Sequence, residues 1–184
     1  TFSGNSAAFA GGAIYSAGTG ILNINNSTFS GNTANISSGA LFNEAGNVTI
    51  TNSTFTTNAS RQDSGAINNQ NGTVKIDYST FAANSGTMGG GIFNAKQMTI
   101  TNSTFTGNSA TSNSGGAVQN SYYATLDVAN STFANNSASM SGGAIYNVGT
   151  LTVTNSTLAN NSSQQAGGGI ANGFGYWRNY VYVK

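Results

Sequence analysis

The chain has 184 residues, 25 of them Gly, and no Pro, Cys or His; 5% of it is charged and the net charge is +1. That excludes zinc fingers, thiolate nucleophiles and Ser-His-Asp triads. It also excludes a basic phosphate-binding surface, so nucleic acid is not an expected partner. No apolar run approaches the ~18 residues of a direct membrane span, and a chain that starts at Thr1 is expected to be a processed form or a fragment.

From the N-terminus, the first recurring element is Phe-x-x-Asn. It appears as Phe2/Asn5, Phe29/Asn32, Phe55/Asn58, Phe81/Asn84, Phe105/Asn108 and Phe133/Asn136, with Leu158/Asn161 as a degenerate seventh copy. The second is a Gly followed two residues later by an aliphatic: Ile14, Leu41, Ile67, Ile92, Val118, Ile145 and Ile170. The third is an apolar-x-apolar step: Leu22-x-Ile24, Val48-x-Ile50, Val74-x-Ile76, Met98-x-Ile100, Leu126-x-Val128 and Leu151-x-Val153. Its first residue precedes the next Phe, or Leu158, by 7 positions in every copy. Seven units averaging about 26 residues have the period of a solenoid.

Val48, Thr49, Ile50 and Thr51 alternate apolar and polar, which is the period of a strand, and no helical period occurs. Three short strands per repeat predict an all-β, right-handed parallel β-helix of about seven coils, each strand pairing with its equivalent one coil away. Identical residues then stack. The expected inward ladder is Phe29, Phe55, Phe81, Phe105 and Phe133. The Asn column of Asn32, Asn58, Asn84, Asn108 and Asn136 is expected at corners, in left-handed backbone, with amides bonded along the axis. The missing Pro fits uninterrupted ladders. Scarce charge fits stacking, because like charges about one strand spacing apart would repel.

The paired motifs, best seen in Gly11-Gly12-Ala13-Ile14, Gly115-Gly116-Ala117-Val118 and Gly142-Gly143-Ala144-Ile145, resemble the repeats of chlamydial polymorphic outer membrane proteins. The resemblance covers residues 1 to about 173. It implies an exported passenger β-helix with an adhesive role. That family also has a C-terminal membrane barrel and frequent Cys between repeats, neither of which is in this sequence.

Many β-helices act on polysaccharides, which takes clustered acids. This chain has only Glu44, Asp63, Asp77 and Asp127. Asp77 and Asp127 fall two coils and two strand positions apart, roughly 12 Å, wider than the about 5–9.5 Å of a glycosidase pair. Solvated surface charge is the expected role. Outward Thr-x-Thr pairs at Thr49/Thr51, Thr99/Thr101 and Thr152/Thr154 suggest an ice-binding array, but Asn23/Asn25, Lys75/Asp77 and Asp127/Ala129 interrupt it. Asn-Ser-Thr recurs at Asn26, Asn52, Asn102, Asn130 and Asn155. It matches the glycan acceptor pattern, and a corner ladder accounts for the same recurrence.

Residues 1–173 are thus expected to form the repeat domain, and 174–184 an aromatic cap or connector strand. Phe2, Tyr176, Trp177, Tyr180 and Tyr182 are the candidate assembly residues, since open strand edges template association. The expected function is non-enzymatic: a structural or adhesive solenoid on the bacterial cell exterior, either an adhesin passenger or a fibre subunit stacking head to tail. No catalytic residue, metal or cofactor is expected. The expected partner is a second copy or a surface ligand.

Overall fold

The computed structural model describes residues 1–173 and 180–184. They form a parallel β-solenoid of four seven-stranded sheets. Coil four shows the unit: Thr80–Ala82 in sheet 1, Ser85–Gly86 in sheet 2, Ile92–Asn94 in sheet 3 and Gln97–Thr101 in sheet 4. Each strand pairs in parallel with its equivalents in the neighbouring coils. Phe81 stands between Phe55 and Phe105, and Ile100 between Ile76 and Val128.

Each coil has four strands where the repeat pattern predicts three. The additional one is the two-residue strand after the Phe-x-x-Asn motif, such as Ser109–Ala110. Two residues cannot display a period of two, and Ser-Ala reads as loop. Stacking on equal neighbours makes it a strand.

Alternation sends the apolar residues inward. In Gln97–Thr101, Met98 and Ile100 are buried while Gln97 is exposed and Thr99 and Thr101 are partly exposed. The five expected Phe side chains are fully buried. Adjacent rings lie 4.5–4.8 Å apart and nearly parallel, within 5°, from Phe2 through Phe133. Strand spacing sets that distance. Leu158 takes the slot in coil seven, paired with Phe133.

Corners are made by left-handed residues. Between sheets 1 and 2 they are Gly4, Gly31, Thr57, Ala83, Gly107, Asn135 and Asn160. This corrects the expectation for Asn32, Asn58, Asn84, Asn108 and Asn136. Each lies one residue after the left-handed position, has an ordinary φ, and is buried with its side chain inside the rod. The turn needs a positive φ, whereas the interior needs an amide; adjacent residues meet these separate demands. Between sheets 2 and 3, Gly116 allows close coil contact: a Cβ there would collide with the carbonyl oxygens of Gly143 and Ser137.

The segment expected as cap or connector ends in an ordinary sheet 4 strand. Tyr180–Val183 pairs in parallel with Thr150–Thr154, placing Val181 beside Leu151 and Val183 beside Val153. It is the fourth strand of coil seven. Val181 packs against the core, while Tyr182 is about half exposed. Phe2 stacks on Phe29 in coil one. Tyr176 and Trp177 lie outside the described residues, as does the side chain of Tyr180.

Candidate functional site

The Phe-x-x-Asn amides form a continuous buried ladder. Asn58 Nδ2 donates to Asn84 Oδ1 at 3.0 Å and to the carbonyl of Phe29 at 3.0 Å. Its Oδ1 accepts from both the backbone N–H and Nδ2 of Asn32. The pattern repeats through Asn108 and Asn136 to Asn161. A buried amide with all groups bonded avoids the desolvation penalty of an unpaired one. Each Nδ2 sends one N–H to the Oδ1 of the coil that follows in sequence and the other back to a Phe carbonyl of the coil before, so the amide-to-amide chain has one direction.

A second amide ladder, which the motif reading passed over, runs through Asn43, Asn69, Asn94, Asn120, Asn147 and Asn172. Its Nδ2···Oδ1 distances are 2.8–2.9 Å, in the same direction. The signal was present: each Asn follows the aliphatic residue of the second motif by two positions. A third ladder uses Ser27, Ser53, Ser79, Ser103, Ser131 and Ser156. Each backbone N–H donates to the next coil's Oγ at 3.1 Å. Each Oγ in turn donates to the carbonyl two residues earlier, as from Ser103 to Thr101 at 2.6 Å.

These contacts account for Asn-Ser-Thr residue by residue. Asn26, Asn52, Asn102, Asn130 and Asn155 hold φ of 47–51° at the corner between sheets 4 and 1, with Tyr78 at 46° in coil three. Asn tolerates that region better than most side chains. The Ser joins the hydroxyl ladder, and the Thr opens the next sheet 1 strand.

Three of the four acids hydrogen-bond to neutral neighbours. Glu44 accepts from the Tyr15 hydroxyl at 2.8 Å, which pushes the Tyr15 pKa up. Asp63 accepts from Ser37 Oγ and Asn68 Nδ2, both at 3.1 Å, and its half-burial pushes its carboxyl above the usual range despite those bonds. Asp77 accepts from Thr101 and Asn102 at 2.7 and 2.8 Å. By strand register it lies two coils from Asp127. Among the described residues no three His, Cys, Asp or Glu side chains cluster as metal ligands would.

Two outward faces carry Thr. On sheet 4, Thr49 is followed in register by Lys75, Thr99, Asp127 and Thr152, the interrupted order read from the sequence. Sheet 1 is different. Thr28, Thr54, Thr80, Thr104, Thr132 and Thr157 occupy one unbroken column. Two residues further along stand Ser30, Thr56, Ala82, Thr106, Ala134 and Ala159. Neither column contains a charge.

A family model described as right handed beta helix region matches residues 1–163. Comparison with curated proteins and with solved structures returned no match.

Proposed function

We propose that this chain, which belongs to the right-handed β-helix family, is a non-enzymatic structural and adhesive rod of the bacterial cell exterior. The observation carrying this reading is that the three polar ladders and the Phe stack run from coil to coil with their polar groups bonded to one another. Such groups are committed to holding coils together. The four carboxylates are dispersed over a surface that is otherwise mostly Asn, Ser and Thr. Stacking a second copy in the same direction would continue the ladders, donor to acceptor, whereas reversed stacking would oppose like groups. That favours head-to-tail self-association as the mode of fibre growth.

The test has two arms. Incubation with acidic and neutral polysaccharides should release no new reducing ends or unsaturated products; measurable turnover would overturn the non-enzymatic reading. Immunogold labelling of intact source cells should mark their surface, and label confined to the interior would overturn the extracellular one.

The uninterrupted Thr column of sheet 1 favours a second reading, ice binding. Thr is enriched on exposed strands in general, but six successive coils keep it here while the neighbouring sheet 4 face varies. Stacked strands place hydroxyls about 4.8 Å apart along the rod, a regular array of water-binding groups. Thermal hysteresis that falls when Thr80 and Thr104 are replaced by Lys would support this reading. No hysteresis or recrystallisation inhibition at high protein concentration removes it.

A further inference from the structure

The outward column of sheet 3 runs Tyr15, Phe42, Asn68, Phe93, Gln119, Tyr146 and Ala171. Unlike the inner ladders, it leaves polar atoms unbonded. Gln119 is nine-tenths buried and its Oε1 has no hydrogen-bond partner in the protein. Such an acceptor is costly to leave unpaired, so the site lacks a donor.

Directly after this strand the chain departs from its repeat. Four residues, Ser121 to Ala124, join sheets 3 and 4 in coil five, as in coil one, against two or three in coils two, three, four and six. The extra length forms a turn closed by Ala124 N–H donating to the Ser121 carbonyl at 3.2 Å. It displays two tyrosines, Tyr122 at 46% exposure and Tyr123 at 80%. Tyr123 has φ 60°, unusual for a bulky residue; in the equally long join of coil one the positive φ falls on Gly18. Tyr146, next to Gln119 in register, adds a third phenol; partial burial pushes its pKa up, and nearby Tyr122 adds to the rise. The turn itself carries no charge.

We infer that the coil-five turn, with Tyr122 and Tyr123 beside Gln119 and Tyr146, is a binding site for a neutral saccharide. A sugar ring presents C–H groups that pack on an aromatic face and hydroxyl donors that a buried amide oxygen can accept. Aromatic surface with a few placed polar groups is the usual make-up of a small-ligand site. An uncharged turn suits a neutral ligand better than an anionic one. The inference deepens the adhesive reading by giving it a ligand class, and rests on it.

The test uses the full chain with cellohexaose, xylohexaose and mannohexaose as probes, each titrated to about 10 mM by calorimetry or NMR. At least one should bind saturably. Tyr123→Ala should weaken that binding at least about tenfold with an unchanged circular dichroism spectrum, and Tyr123→Phe should retain it. Tyr78→Ala removes an exposed tyrosine from a different corner and should change nothing. No saturable binding by the unmodified protein, equal binding by Tyr123→Ala, or equal loss in Tyr78→Ala would overturn the site. Such a failure leaves the polysaccharide-turnover and surface-labelling results untouched, so the two readings fail separately.

Discussion

Replacing Asn84 by Ala is expected to destabilise the rod by about 3–5 kcal/mol. The side chain takes part in four hydrogen bonds. Its Oδ1 accepts from the backbone N–H and Nδ2 of Asn58, and its Nδ2 donates to the Phe55 carbonyl and to Asn108 Oδ1. All of these residues are buried, so water cannot replace the lost partners. The Asn58 backbone N–H loses its acceptor altogether. Asn84→Asp is the sharper variant. Its carboxylate keeps both bonds from Asn58, but its second oxygen faces two acceptors, so near neutral pH it should be at least as damaging as Ala. Acidification should restore part of the loss, because a protonated carboxyl donates once. Urea unfolding monitored by circular dichroism measures both. A loss under about 1 kcal/mol for Asn84→Ala would mean the ladder holds little.

Phe81→Ala should cost a similar about 3–5 kcal/mol, through a cavity rather than an orphaned bond. The ring lies between Phe55 and Phe105 at 4.8 and 4.6 Å and is fully buried. Cavities cost most where the surroundings cannot collapse. Here the neighbouring backbones are fixed one strand spacing away by pairing on both sides. Phe81→Leu should cost less than about 1.5 kcal/mol, because Leu158 fills the equivalent slot of coil seven. Because each coil contacts chiefly its neighbours, the damage should stay local. Hydrogen exchange should accelerate in coils three to five before the distant coils. Uniform acceleration along the rod would contradict nearest-neighbour stacking.

The columns that bury large side chains were legible in the sequence because a Phe or Ile recurring every 24 to 28 residues stands out from a background of Asn, Ser and Thr. Polar functions were less legible against that same background. Asn43 and Asn69 look like any other Asn until the strands place one amide above the next. The repeat pattern places left-handed backbone one residue late, at Asn84 rather than Ala83, since a corner and an amide ladder in adjacent positions both favour Asn. Val181-x-Val183 was hidden by spacing: it follows Ile170 by 11 positions, where the other copies follow by 6 to 8. The coil-five turn was visible only as a length variation. Its interest lies in the unbonded Gln119 oxygen, which no spacing rule reveals.

The one-way orientation of the amide ladders has an electrical consequence. A peptide-like amide carries a dipole of about 3.5 D. Backbone groups in a sheet alternate in direction and largely cancel, but the side-chain amides from Asn32 to Asn136 and from Asn43 to Asn147 all turn Oδ1 toward the earlier coil and donate from Nδ2 to the Oδ1 of the next. Their moments add along the axis. The two ladders therefore contribute a dipole along the rod, positive toward coil seven, so its two ends present unlike partial charges.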